Sequence, residues 1–388
     1  MIRDELAPGE PCKPKLAGNG RSFYICRPDM RVLFIAPYPT GIAPSQRFRY
    51  EQYLKLMEQQ GMTYRISSFI DPKAWKILYK PGHWWSKFAA LMRGYFRRIG
   101  DIFSLSRYDV VFIHREASPF GLPVFEWLIT KVFRKYTIYD YDDAIWVPNA
   151  SESNSALTML FKRFSNARDT TKWATVVSVG NKYLAEYASK LNNRVVINPT
   201  TIDTDEHHNE LTDHANSKFV IGWTGSHSTL KYLNDIYPIL EELEKKYEFE
   251  FHVIADVAPK ADLKSLRFVP WNKETEIDDL LRFNVGIMPL PDDIWSKGKC
   301  GFKALQYMAL GIPAIVSNVG VNAEIVDHGI NGYVCQTPAD WKTYLEKVIS
   351  SPQTIRQLSS HTRNKIVDNY SVRSNWRNFL SMFIREDE

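Results

Sequence analysis

One pattern restricts this chain more than any other. Short, mainly apolar runs take turns with longer helix-type segments along nearly all of its 388 residues. Runs at 31–36, 110–113, 136–139, 174–179 and 194–197 read as strands, and 45–60, 122–134, 156–168 and 182–191 read as helices. Strands that succeed one another with a helix between them build a parallel sheet covered on both faces. The pattern stops at 198–217, which opens on Asn-Pro-Thr-Thr and then turns polar (TDEHHNELTDHANS). It resumes with strands at 219–222, 249–255, 267–269, 285–289, 314–317 and 332–335.

The fold class is therefore α/β, with two Rossmann-like, doubly wound domains. Residues 1–29, rich in Pro, Gly and charge, read as a flexible leader. The first domain takes 30–198, a linker 199–217 and the second domain 218–369. The segment 370–388 carries an amphipathic helix with Trp376, Phe379, Leu380 and Phe383. The length exceeds one ordinary core and suits two. Ligands of such folds sit at the carboxyl ends of the strands, here in the cleft expected between the halves.

Composition narrows the class. Hydrophobic residues make up 44% and charged residues 24%, the mix of a globular protein. Cys12, Cys26, Cys300 and Cys335 are scattered without a CxxC pair, which argues against a disulfide framework or a cysteine zinc site and suits a reducing compartment. A formal charge of +5 is too mild to imply nucleic acid. No run of about 18 apolar residues is present, and the N-terminus lacks a secretory pattern. The expected location is cytoplasmic.

The strongest motif is 297–332, KGKCGFKALQYMALGIPAIVSNVGVNAEIVDHGING. It reads as a loop, a helix, a tight Gly311-Ile312-Pro313 turn, a buried strand and a second helix start. Gly320, Val321 and Asn322 would set backbone N–H groups at that helix start, where a phosphate is favoured. Lys297, Lys299 and Lys303 add positive charge. The plain alternative is a packing unit with a solvated lysine run. A second motif, Gly222-Trp223-Thr224-Gly225-Ser226-His227-Ser228, follows the first strand of the second half. Its small residues permit close backbone approach to a ligand, a helix is expected from about Ser228, and Lys231 lies in its first turn.

Residues 306–313, Gln-Tyr-Met-Ala-Leu-Gly-Ile-Pro, resemble the E-A-M-A-x-G-x-P context of family 4 glycosyltransferases (glycosyl transferases group 1), which have the GT-B fold. The closer likeness is to a divergent subgroup with an F-K-x-L-Q-Y-M-A signature. The resemblance implies two domains facing across a cleft, with the last helix returning to the first. It implies a donor site of Gly225, Ser226, His227, Lys231, Lys299, Lys303, Gln306, Gly320, Val321, Asn322 and Glu324. Gln306 stands where the family's second glutamate meets the ribose. The first glutamate has no counterpart, because Gly298 occupies its place. Glu324 reads equally as a donor contact or as an acid suited to a first helical turn.

In the first half, Asp140-Tyr141-Asp142-Asp143 closes a strand. A D-x-D metal site belongs to glycosyltransferases of the other large fold, so fold logic disfavours it. Helix capping and a catalytic or acceptor-binding role remain open for Asp142 and Asp143. They stand where the family often carries His-Asp. His114 and Arg115, after another strand, are further catalytic candidates. The loop with Gly41, Ser45 and Arg47 resembles the family's loop that meets donor and acceptor, which implies an acceptor-side role, and Ser45 reads as an N-cap; Arg47 and Arg49 oppose the helix dipole unless they serve an anion.

Residues 73–107 hold Lys or Arg at eight positions against one acid, Asp101, with apolar residues at helical spacing and Trp75, Trp84 and Trp85 upstream. Two readings fit: an interfacial helix on an anionic membrane, or a packed helix whose apolar stripe covers the sheet. The tryptophan–arginine clustering favours the first. The resemblance then implies transfer of a sugar from a nucleoside diphosphate sugar to a lipid-linked acceptor in surface polysaccharide assembly. That transfer is expected to be retaining and metal-independent, needing no cofactor and no nucleic acid, at the inner face of the cell membrane. A nucleotide-sugar epimerase and a non-catalytic assembly protein are the rival readings.

Overall fold

The computed structural model describes residues 15–16, 22–23, 29–78, 80, 82–147, 165–215 and 218–385. The leader read at 1–29 lies outside the described residues, apart from residue 29 and a small antiparallel pair, β1 (Lys15–Leu16) and β2 (Ser22–Phe23). The helix read at 156–168 lies outside them as far as residue 164. The chain divides into two compact units. The first runs to Pro199 and resumes at Asn375; the second is Thr200–Ser374.

In unit 1 the strands are β3 (Arg31–Ala36), β4 (Thr63–Ser68), β5 (Val110–His114), β6 (Tyr136–Tyr141), β7 (Val176–Val179) and β8 (Val195–Ile197). They form one sheet, ordered β4-β3-β5-β6-β7-β8, with every pairing parallel. The apolar runs of β3, β5 and β7 are buried along almost their whole length, as strands covered on both faces must be. β4 was not legible as a strand. It is a half-exposed edge strand of sequence TYRISS, with no apolar run to signal it.

The helices of unit 1 are α1 (Pro44–Arg47), α2 (Leu54–Gln59), α3 (Pro72–Leu78), α4 (Trp84–Ser104), α5 (Val124–Trp127), α6 (Ser165–Trp173) and α7 (Lys182–Ser189). The single helix expected at 45–60 is instead broken into α1, a 3-10 turn at Glu51–Tyr53 and α2. Ser45 is not its N-cap. Ala43 holds that place, and Pro44, with its fixed φ, takes the first helical position. The break coincides with Gln46, Arg47 and Arg49, whose side chains turn inward and are buried.

α4 corrects another expectation. The packed-helix reading set its apolar stripe on the sheet, but Arg98 is buried there and Arg97 turns toward the sheet. Arg98 donates to the carbonyls of Ala36, Ser67 and Ala117 and to Asp101. Arg97 donates to the carbonyls of Ser68 and Phe69. The apolar stripe faces outward instead, with Trp84, Trp85, Phe88, Phe96, Ile99 and Phe103 exposed.

Unit 2 has β9 (Phe219–Thr224), β10 (Phe249–Ala255), β11 (Leu266–Pro270), β12 (Val285–Met288), β13 (Ala314–Ser317) and β14 (Gly332–Cys335). All pairings are parallel in the order β11-β10-β9-β12-β13-β14. Counted from β9, this is the doubly wound order 3-2-1-4-5-6, which reverses direction between β9 and β12. Its helices are α8 (Tyr237–Leu243), α9 (Glu276–Leu281), α10 (Ile294–Lys297), α11 (Phe302–Ala309), α12 (Asn322–Ile325), α13 (Pro338–Ser350) and α14 (Pro352–Asn369). The core gathers Ile221, Trp223, Phe251, Val253, Ile287 and Ile315. Residues 200–215, read as linker, include buried Thr201, Ile202, Thr204 and His208. Ile202 exchanges backbone bonds with Tyr370 and Val372.

A last helix, α15 (Val372–Ser381), leads the chain back into unit 1, as the resemblance implied. Phe379 stacks on Tyr53 at 4.3 Å, and Phe383 lies 6.4 Å from Phe112. Tyr136 Oη donates to the carbonyls of Met382 and Ile384.

Candidate active site

Parallel register assembles the unit 1 site. His114 on β5 pairs with Asp140 on β6, and Asp140 pairs with Ser178 on β7, so the three form a row across the sheet. His114 Nδ1 lies 2.8 Å from Asp140 Oδ2, and Ser178 Oγ donates to Asp140 Oδ1 at 2.6 Å. Arg49, from the break after α1, caps the row with an ion pair to Asp140 and a bond to the Asn198 carbonyl. All of these groups are buried. Burial opposes a charge on Asp140, but Arg49 and His114 outweigh it and hold the carboxyl well below the usual range. The anion that Arg49 serves is therefore internal.

Beside this row stand the other predicted residues. Arg115 closes β5 with φ +61°, a left-handed conformation that costs a non-glycine residue of order 1 kcal/mol or more. It is held there by its own N–H to Asp140 O and by Tyr139 Oη to its carbonyl. Its guanidinium meets Asp143 Oδ2 at 2.9 Å. Burial pushes the Asp142 carboxyl up, and the neighbouring Asp143 charge adds to this. His114, Arg115, Asp142 and Asp143 are thus brought together. Of these two neighbouring carboxyls, Asp143 pairs with Arg115, and Asp142 is the one that burial pushes up.

The loop that holds Gly41 and Ser45 is braced by Glu51 and Gln46. Gly41 N–H donates to Glu51 Oε2 at 2.8 Å. Gln46 bridges Tyr38 and Glu51. Ser45 is one of the α1 residues above this brace, and Arg47 lies over the Phe48 ring.

In unit 2 the candidates gather where the sheet reverses direction. Gly225 must be glycine, since a Cβ there would lie 2.2 Å from the Trp223 ring. Lys303 Nζ lies 5.5 Å over that same ring, and Tyr307, one turn on, accepts from Thr224 N–H at 2.9 Å. Lys299 lies 5.0 Å over Trp295. Gly320 has φ +58°, and a Cβ there would lie 2.9 Å from the Lys297 carbonyl oxygen, so the 318–321 loop runs close beside the lysine segment. Lys297 pairs with Asp292 at 2.9 Å, and exposed Lys231 lies over Tyr232.

Several details differ from the sequence reading. The Gly225, Ser226 and His227 N–H groups are already donated, to Ile254 O, Thr229 Oγ1 and Asp256 Oδ1. No helix begins at Ser228; a turn leads into a 3-10 segment, Leu230–Leu233. α12, after Gly320 and Val321, is a single turn, so Asn322 and Glu324 start a helix too short for a full dipole. Gln306 is buried, its amide donating to Glu276 Oε1 at 3.4 Å. Anion attraction therefore falls mainly to the lysines. Ser178, Asp256 and Glu276 escaped the sequence reading, and Asp140 entered it only as the start of the Asp140-Tyr141-Asp142-Asp143 run. Asp140 left a signal, as a carboxylate inside a run otherwise fit for burial needs a partner.

The fold defines a class: two wholly parallel α/β units with the architecture of GT-B glycosyltransferases. Sucrose-phosphate synthase from Thermosynechococcus elongatus superposes with a TM-score of 0.67 at 12% identity, over 90% of this chain and 96% of that one. The Anabaena protein HepE in complex with UDP gives 0.56 at 14% identity, over 89% and 98%. More particularly, residues 252–365, within the second unit, match the family model described as Glycosyl transferases group 1, as the resemblance implied. Spore coat protein SA of Bacillus subtilis (strain 168) is 32% identical over 81 residues, a stretch spanning 20% of this chain and 22% of that relative.

Proposed function

We propose that the chain is a hexosyl-type glycosyltransferase, using a nucleoside diphosphate sugar as donor and a lipid-linked saccharide as acceptor in surface polysaccharide assembly. The observation that carries this reading is the unit 2 site. Lys303 and Lys299 stand over indole rings at the reversal point of a 3-2-1-4-5-6 sheet, inside the matched family region. The relative that binds UDP shares this fold.

Breaking the bond from the sugar C1 to the diphosphate oxygen leaves negative charge on the leaving group. Lys299 and Lys303 stabilise that charge electrostatically, without calling on a metal. Gly225, Ser226, His227 and Lys231 border the diphosphate from the β9 side. Gly320, Val321, Asn322 and Glu324 border it from the β13 side, and Gln306 supports the ribose end. Unit 1 serves the acceptor through Gly41, Ser45 and Arg47. The acceptor oxygen bonds to C1 on the face from which the diphosphate leaves, and its proton passes to Asp142, a stronger base than an ordinary carboxylate because its pKa is raised. Arg115 and Asp143 orient it, and His114 adds a hydrogen-bonding nitrogen. We read the transfer as retaining, and the enzyme as cytoplasmic and peripheral to the membrane.

The test is incubation with a panel of labelled nucleotide sugars and a membrane lipid extract. Release of nucleoside diphosphate together with label in the lipid supports the proposal. An epimerised donor without release, or no turnover of any donor, contradicts it.

A further inference from the structure

We propose that the outward face of α4, with the groove between α3 and α4, docks onto an anionic phospholipid bilayer. This rests on the reading that the enzyme works at a membrane, and it names the surface and the lipid chemistry.

A helix packed on a sheet normally turns its apolar stripe inward. α4 does the reverse, and its orientation is fixed. Gly94 lies against the Phe69 ring, where any Cβ would clash at 2.6 Å. Arg98 is anchored to three carbonyls beneath the helix and to Asp101. The stripe cannot roll under, so Trp85 is left 86% exposed, Phe103 84% and Phe96 70%. Neighbouring chain extends the surface. Tyr95 Oη donates to the Phe120 carbonyl, and nearby Leu122 and Trp127 are also exposed.

The rim of the face selects the partner. Between α3 and α4 lies an open groove of about 470 Å³, lined by Lys73, Ile77, Trp85, Ser86 and Arg93 among others. Lys76 and Lys80 are exposed alongside. The only acid in 73–107, Asp101, is buried between Arg98 and Arg65, and Asp71 just before the segment pairs with Arg93 at 3.3 Å, so the rim's positive charge rests on Lys73, Lys76 and Lys80. Cations around an apolar stripe with tryptophan at its edge suit lipid phosphates above and acyl chains below. A second copy of the chain fits poorly, because a two-fold interface sets a patch against itself and would oppose lysine to lysine. Among the described residues no helix is long and apolar enough to cross a membrane, so α4 would lie along the surface.

The experiment is flotation of the full-length protein with vesicles of phosphatidylcholine alone or mixed with phosphatidylglycerol. The expected result is flotation with the mixed vesicles only, weakened by salt. Phe96→Ser with Phe103→Ser, both at exposed positions, should abolish it. Lys73→Glu with Lys76→Glu should lower the partition by about tenfold or more. Flotation unchanged in both variants, or no flotation with anionic vesicles, overturns the inference. So does a concentration-dependent dimer that the double Phe variant dissolves. Nucleotide-sugar binding, followed by thermal shift on the same samples, tests the glycosyltransferase reading separately: retained binding without flotation sinks only the docking surface.

Discussion

The two units share one architecture and treat charge in opposite ways. Unit 1 buries it. Arg49, Asp140 and His114 are almost wholly enclosed and paired with one another, as are Arg98 and Asp101. Unit 2 lays Lys299 and Lys303 on the faces of tryptophans, neither lysine fully buried. A cation over an aromatic ring gains only about 0.5–2 kcal/mol. A diphosphate offers shorter, charge-assisted contacts and can outcompete the ring. A buried ion pair cannot be exchanged that way, since either partner left alone keeps its full desolvation penalty. The first arrangement positions neighbouring groups, and the second is the one proposed to receive a ligand.

This contrast can be broken at specific residues. Arg49→Ala should have the largest effect. It strands the Asp140 carboxylate and should cost about 3–5 kcal/mol, read as a lower denaturation midpoint by circular dichroism. A loss under about 1 kcal/mol would mean that the pair is solvated. Acid should weaken the same network. The Asp140 pKa is depressed in the folded state, so its contribution is present above the unfolded carboxyl value and is lost as pH falls below it.

Asp142→Asn should lower turnover by about 100-fold or more while leaving stability intact, because it removes the proposed base and keeps a side chain of the same shape that still hydrogen-bonds. An equal fall in melting temperature would make Asp142 structural.

Glu126 sharpens the picture of buried charge. Burial pushes its carboxyl up to about 7 from an ordinary 4.5, against the Ala117 N–H that it accepts. Its raised pKa makes the folded state bind the extra proton, so stability falls as pH rises from about 4.5 to 7. Glu126→Gln should stabilise the protein at pH 8 by of order 2 kcal/mol and have little effect near pH 4. Thermal melts across that range decide it.

The smallest effect belongs to unit 2. Lys303→Ala should weaken nucleotide-sugar affinity about tenfold with no measurable change in melting temperature, as loss of one charge-assisted contact implies.

Sequence disclosed the parts of this design that obey periodicity. The β3, β5 and β9 runs announced two parallel sheets, and Phe379 and Phe383 announced a helix with an apolar face. Periodicity could not say which face of α4 looks inward. That was decided by Arg98, whose bonds to strand-end carbonyls outweigh the stripe. Nor could it show that Asp140 lies inside β6. The charge looked like the end of the strand, and its partners Arg49 and Ser178 are 91 and 38 residues away. The 3-10 turn after Ser228 was hidden for a similar reason: bonds from the loop to Asp256 and Ile254 are non-local.

The most direct measurement is calorimetric titration of nucleoside diphosphates into the full-length protein and into its Lys299→Ala, Lys303→Ala double variant. Saturable binding of at least one diphosphate, weakened 10-fold or more in the variant, is the expected result. Heat that is absent for every nucleotide, or unchanged in the variant, would contradict the assignment of unit 2 as the donor-binding unit.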